Sequence, residues 1–362
     1  MIGLTLWKYL FKRYVVMTLW FILGIMTIVY MVDFTEFSRR ASSLNGYSLG
    51  LGAFMSLLRL PNFLQQTVPF VVLFSSMTVL LVLNRKYELV VARSAGISAW
   101  QFLAPLCVAS LLVGILMTAV VNPISSLALT KVQELEFNLG LRGGRAISKE
   151  RPPWLRQRTD EGVTIIGAKR VARRGLLLGG AAFIRLDDNG DIFERLDAES
   201  ATLGNGYWTL ENVVRTTPDG DPENIAEVMV KTNLRPEFVE ESMTSPESIS
   251  FFELPRKVEV ARTFGLGANA FAMQYQALLA LPLLLVAMTL IAATVSLNFI
   301  RFGQSGTVIL AGILAGFLLY VVSVLVKSFG TVGTVSPVAA AWLPVIVAAA
   351  LGITVLLHKE DG

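Results

Sequence analysis

A chain of 362 residues that is 54% hydrophobic and only 16% charged departs far from soluble composition and reads as a polytopic membrane protein with a water-facing part attached. One cysteine, Cys107, excludes a disulfide framework, and one histidine, His358, argues against His/Cys metal centres and His-dependent triads. The net charge of +4 is uneven: residues 131–262 hold 19 of the 31 basic and 22 of the 27 acidic side chains, net −3, so the remainder is +7 and no nucleic-acid partner is needed to explain it.

Lys8, Lys12 and Arg13 precede the charge-free run Tyr14–Val32, which is too long for a signal h-region and reads as a retained anchor. Further charge-free runs occur at Pro61–Leu83, Ser94–Thr130, Thr263–Ile300, Phe302–Val326 and Ser328–Leu357. A span of about 20 apolar residues crosses the hydrocarbon core, so six transmembrane helices are predicted. If they alternate, Lys8, Lys12, Arg13, Arg85, Lys86, Arg93, Arg301 and Lys359 share one side, the cytoplasm, with both termini. No carboxylate, lysine or arginine lies inside these runs, which argues against a proton-driven transporter. Gln65, Gln66, Gln274 and Gln276 near the span starts suit helix–helix hydrogen bonds, and Gly312-x-x-x-Gly316 permits close helix approach.

Arg39 and Arg40 follow the first run on the outer side, with Arg59 before the second and Lys327 ending the fifth. An arginine pair binds phosphate oxygens bidentately, or anchors at the interface; Asp33 and Glu36 are near enough to pair with it. Between the second and third runs lies the charged island Asn84–Arg93, closed by Ser94-Ala95-Gly96. As a helix it puts Tyr87, Val90 and Val91 on one side and Arg85, Glu88 and Arg93 elsewhere. That shape suits docking of a soluble partner, or a solvated turn on headgroups. No phosphate-binding Gly-rich loop occurs, so any ATP hydrolysis belongs to another chain.

The segment 131–262 lies outside in this topology. Lys131–Arg142 continues the third span as helix. Thr164–Ile166, Gly175–Leu186, Ile192–Ala198 and Trp208–Thr217 read as strands, with turns at Asp187–Gly190 and Gly204–Gly206. Pro152, Pro153 and Pro218 through Pro222 mark loops, and Ser242–Ser250 a polar linker. A small antiparallel sandwich or open roll is predicted.

Three spans, an outer β domain and three further spans, with NRKYELVVARSAGIS between the second and third, resemble the LptF/LptG permeases of the lipopolysaccharide exporter. VDFTEFSRRAS, LPNFLQQTVPF, ELVVARSAGIS, the hairpin region IRLDDNGDIFERLDAESATLGNGYWTLENV and GILAGFLLYVV carry the resemblance, and the ELVV wording leans toward the LptG branch. The resemblance implies an inner-membrane α + β fold: transmembrane helices 1–3 in 1–130 with a coupling helix at about 84–96, a periplasmic antiparallel β-jellyroll in 131–262, and helices 4–6 in 263–362. It implies a non-catalytic permease without cofactor or metal, paired with a homologous permease (LptF) over a dimer of the ATPase LptB, and handing lipopolysaccharide to the jellyroll proteins LptC and LptA. It assigns Glu88 to the ATPase contact with support from Arg85, Tyr87, Leu89, Val90 and Gly96. It also assigns Arg39 and Arg40 to the lipid phosphates, and Gly312 and Gly316 to a lateral gate. The rival readings are a membrane-anchored periplasmic scaffold, a permease for another lipid or lipoprotein, and a lipid-modifying enzyme, the last without a catalytic constellation.

Overall fold

The computed structural model describes residues 3–42, 47–138, 154–159, 162–172, 175–187, 191–218, 220–233, 245–263, 268–296 and 305–360. The chain divides into two units. One comprises Met1–Asp33, Arg59–Ser126 and Ser250–Gly362, the other Phe34–Leu58 and Leu127–Ile249.

The predicted fold class is present. Among the described residues six helices are long and apolar enough to cross a membrane. They are α1 (Leu4–Ala41), α2 (Leu49–Arg85), the continuous run of α4 (Ala99–Leu116), a π turn (Met117–Val121) and α5 (Asn122–Asn138), then α7 (Ala268–Ser296), α8 (Ser305–Val332) and α9 (Pro337–Glu360). Two short helices stand between spans, α3 (Glu88–Ser94) and α6 (Leu254–Thr263).

The helix ends lie beyond the apolar runs. A helix is held by its own backbone bonds and need not stop where the hydrocarbon stops. The 38 residues of α1 extend about 57 Å at 1.5 Å per residue, against a core of about 30 Å. Arg39 and Arg40 therefore form the last turn of α1, and Arg59 lies inside α2. Lys327 lies inside α8, which runs on to a turn at Gly333 (φ +89°). It donates to Gln274 Oε1 at 3.0 Å, and Trp342 Nε1 donates to Gln276 Oε1 at 3.0 Å. Both glutamines thus make the helix–helix bonds expected of them. The outward helix predicted over Lys131–Arg142 is present to Asn138; 139–142 lie outside the described residues, as does Arg301.

Hydroxyl side chains also knit the helical unit. Tyr14 (α1), Ser76 (α2), Ser110 (α4) and Thr289 (α7) are fully buried and share hydroxyl contacts. These are Tyr14 with Ser110 at 2.7 Å, Ser110 with Thr289 at 2.6 Å, Ser76 to Thr289 at 3.2 Å and Ser76 to Tyr14 at 3.4 Å. A hydroxyl has no water to turn to inside a bilayer, so four helices are held in register by mutual satisfaction. Tyr14→Phe removes two of these contacts and is expected to destabilise the detergent-solubilised chain by about 1 kcal/mol in a denaturant titration.

A second device joins α4 to α7. Pro282 has no N–H, so the Leu278 carbonyl four residues earlier lacks its helical donor. Thr118 in the π turn supplies one, Oγ1 donating to Leu278 O at 3.0 Å. Gly114 makes room: a Cβ there would collide with the Pro282 Cα. The π turn itself precedes Pro123, which cannot donate backward, and the Asn122 N–H reaches five residues back to Met117 O.

The second unit carries one six-stranded antiparallel meander, β1 (Trp154–Thr159), β2 (Gly162–Ala172), β3 (Leu177–Leu186), β4 (Ile192–Leu203), β5 (Tyr207–Thr216) and β6 (Glu223–Lys231), each hydrogen-bonded to its sequence neighbours. The two predicted hairpins form: Asp187 N donates to Asp191 O at 2.9 Å across residues 188–190, which lie outside the described residues, and Gly206 adopts φ +85°. Gln157 of β1 donates to Lys231 O at the end of β6 and accepts from Thr232 Oγ1, so the sheet rolls until its first and last strands meet through one side chain. The inner face holds Ile166, Phe183, Leu196, Trp208, Leu210 and Val213, Phe183 meeting the Trp208 ring edge-on at 5.9 Å.

A crease crosses this sheet. The ladder steps from Ala168↔Ala181 to Arg170↔Gly179, from Ala181↔Ala198 to Gly179↔Ser200, and from Ala198↔Val213 to Ser200↔Glu211. The skipped row contains Gly180 and Asn212, both left-handed (φ +60° and +51°), and Asn212 Nδ2 donates to Glu199 Oε2 at 2.7 Å. Left-handed residues bend their strands. Inward alternation then resumes one residue out of phase: Leu196 and Ala198 before the crease in β4, Ala201 and Leu203 after it.

Candidate functional site

The charged island is an elbow. Helix α2 ends at Arg85, and Tyr87 reverses the chain in a left-handed conformation (φ 58°, ψ 10°) before the seven residues of α3. Glu88 stands in the first turn of α3 and Arg93 in its last, each favourable toward the helix dipole. Gly96 at φ +81° ends the element as expected, with Gly96 N on Arg93 O and Ile97 N on Ala92 O, and Ser98 caps α4. Tyr87 and Val91 are exposed by 64% and 65%. Arg85 is exposed and Val90 half-buried. Leu89 faces inward. It is buried with Leu10, Tyr14, Leu83 and Leu103, and so anchors α3 to the bundle.

Glu88 is held from within the chain. Arg13 Nη1 lies 3.1 Å from both carboxylate oxygens, and the Tyr9 hydroxyl donates to Oε2 at 3.1 Å. Arg13 also contacts Tyr9, its guanidinium 5.6 Å from the ring centroid. Sequence reasoning grouped Arg13 with Lys8 and Lys12 as topological charge. The two lysines are exposed and Arg13 is not.

At the other end of α1, Glu36 holds both members of the arginine pair. Arg39 Nη2 is 2.8 Å from Oε2 and Arg40 Nε 3.2 Å from Oε1. One carboxylate between two guanidiniums leaves the group cationic, and both arginines are more than half exposed. Asp33 does not join them. It pairs with Arg59 at 3.3 Å, both side chains nearly buried.

Gly312 and Gly316 are both buried. A Cβ on Gly312 would meet Val295 at 2.9 Å and Met77 at 3.1 Å, and one on Gly316 would strike the Leu73 methyl groups. The glycines seat α8 on α2 and α7. The opposite face of α8 leaves Leu314, Phe317, Leu318 and Leu325 exposed, and α1 leaves Leu19, Trp20, Leu23, Ile28 and Met31 exposed. These are the two least covered spans among the described residues. Among those residues, no three His, Cys, Asp or Glu side chains gather as a metal site would require.

A family model described as lipopolysaccharide export system permease LptF/LptG matches residues 8–358. No curated protein matches the chain.

Proposed function

We propose, from the premise that this chain belongs to the LptF/LptG family of lipopolysaccharide export permeases, that it is the LptG-type half of a two-permease ABC exporter in the inner membrane. Family membership makes it a lipopolysaccharide export permease and a multi-pass membrane protein; the ELVV wording is what supports the LptG branch, and the places of charge and bare apolar surface support the other assignments. The elbow faces the cytoplasm with both termini and receives the LptB ATPase. Glu88 meets a cation of that partner, flanked by the exposed Tyr87, Val91 and Arg85. The homologous permease, LptF, covers the bare faces of α1 and α8, between which lipid enters.

Lipid phosphates rest on Arg39 and Arg40, whose shared Glu36 leaves net positive charge at the helix end. Acyl chains lie among the apolar helices, and the periplasmic roll passes lipid on to jellyroll partners of the LptC and LptA kind. The chain performs no bond-making chemistry; ATP is hydrolysed by its partner. The observation that carries the reading is the family match across both helical halves and the sheet between them.

Purification from native membranes, with mass spectrometry of bound protein and bound lipid, tests it. An ABC ATPase, a second permease and a phosphorylated glycolipid are expected. Replacing Arg39 and Arg40 by alanine is expected to reduce lipid crosslinking about tenfold through loss of charge-assisted phosphate contacts. Undiminished crosslinking returns the pair to interfacial anchors, and absence of an ATPase from the wild-type preparation sinks the exporter reading.

A further inference from the structure

The Glu88 carboxylate is bound from one side. Arg13 and Tyr9 lie four residues apart on α1, so one face of that helix presents both groups. Beneath them Leu10 and Tyr14 of α1 share an apolar cluster with Leu89 of α3. The ion pair is thus the polar rim of a packed seam, with the Arg13 side chain 19% exposed and that of Glu88 33%. An ionised carboxylate offers about four acceptor positions. Arg13 and Tyr9 occupy the inner ones, and the exposed third of Glu88 leaves outer ones for a second cation.

We propose that Arg13 is a positioning residue for energy transfer. It ties the elbow to α1 through Glu88, so that one carboxylate is shared between an inner cation of this chain and an outer cation of the ATPase. Displacement of the elbow is then carried into the first helix. Among the described spans that helix is the least covered along its most apolar stretch, so outside the buried seam at Leu10, Tyr14 and Thr18 little packing within the chain opposes its movement. The inference rests on the reading of Glu88 as an ATPase contact, and it adds the link that contact needs to reach the membrane. Lys8 and Lys12 are exposed and take no part.

The test uses the complete exporter, permeases and ATPase together in proteoliposomes, and reads lipopolysaccharide released per ATP hydrolysed. Arg13→Gln keeps the ATPase on the complex, since Glu88 is intact, yet lipid released per ATP falls by about fivefold. Arg13→Lys restores most of the ratio, and Tyr9→Phe lowers it in the same direction by less. An unchanged ratio in Arg13→Gln overturns the proposal. So does loss of the ATPase from a folded Arg13→Gln complex, which makes Arg13 part of docking instead. Should thermal unfolding show Arg13→Gln to be misfolded, Tyr9→Phe decides: an unchanged ratio overturns the proposal and a lowered one supports it. A wild-type preparation without ATPase refutes the reading of Glu88 as an ATPase contact, a result distinct from all of these.

Discussion

Glu88→Arg is expected to reduce the ATPase recovered with the purified permease more than tenfold, whereas Glu88→Gln is expected to reduce it only severalfold. Truncating or reversing one partner of a close charge pair at an interface costs about 2–5 kcal/mol, and about 1.4 kcal/mol is already tenfold. Reversal acts twice here. It removes the outer contact proposed for the partner's cation, and it sets a second guanidinium against Arg13, whose side chain is only 19% exposed. Like charges at that separation repel by about 1–4 kcal/mol between the bulk-water and protein-surface dielectric limits, enough to swing α3 off α1. Glutamine keeps an oxygen for Arg13 and Tyr9 and holds the elbow in place. Quantitative mass spectrometry of the co-purified ATPase checks both, and repetition at raised salt separates the exposed outer contact from the shielded inner one. Equal recovery for wild type and Glu88→Arg removes Glu88 from the docking surface.

The apolar runs located the six spans because a bilayer demands a long uncharged stretch, and turn chemistry located the hairpins around Asp187–Asp191 and Gly204–Gly206. Helix ends were not legible. Nothing in the sequence stops α1 at Val32, and the helix continues through Asp33, Glu36 and Arg39 with its charged residues above the hydrocarbon. Strands β1 and β6 went unseen because they are the sheet's edges. Edges carry charge, and WLRQRT and ENIAEVMVK do not alternate cleanly. The crease hid the end of β4, beyond Ala198, for a different reason. Left-handed Gly180 and Asn212 shift the inward phase by one residue, so period-two alternation fails across them. Helix α6 was missed because only Leu254 and Ala261, one heptad apart, are fully buried.

The elbow was legible as a charged, helical interruption with Glu88 and Gly96 in recognisable places. Its connection to Arg13 was not. The pair is 75 residues apart, and nothing local distinguishes Arg13 from Lys12 beside it. The same holds for the Tyr14–Ser76–Ser110–Thr289 cluster, whose members are ordinary residues in apolar runs until four helices converge.

Gly114→Ala is expected to destabilise the solubilised chain by about 1–3 kcal/mol, the cost of overpacking a filled interior. The new Cβ falls on the Pro282 Cα, and backbone cannot rotate away as a side chain can. Gly316→Ala makes the contrast. Its Cβ meets the methyl groups of the buried Leu73, a side-chain end that can give where backbone cannot, and a smaller loss is expected despite a close contact. Thr118→Val alone leaves the Leu278 carbonyl without its substitute donor and is expected to cost about 1 kcal/mol in a membrane setting. The two changes at this crossing should not add. Once Gly114→Ala has pushed α4 away from α7, the 3.0 Å bond from Thr118 is already stretched, and removing its hydroxyl costs little more. A double-mutant cycle read by denaturant titration in detergent checks this. Full additivity would mean that the Thr118 bond survives the displacement, and that Pro282, Gly114 and the π turn are independent accommodations and not one joint.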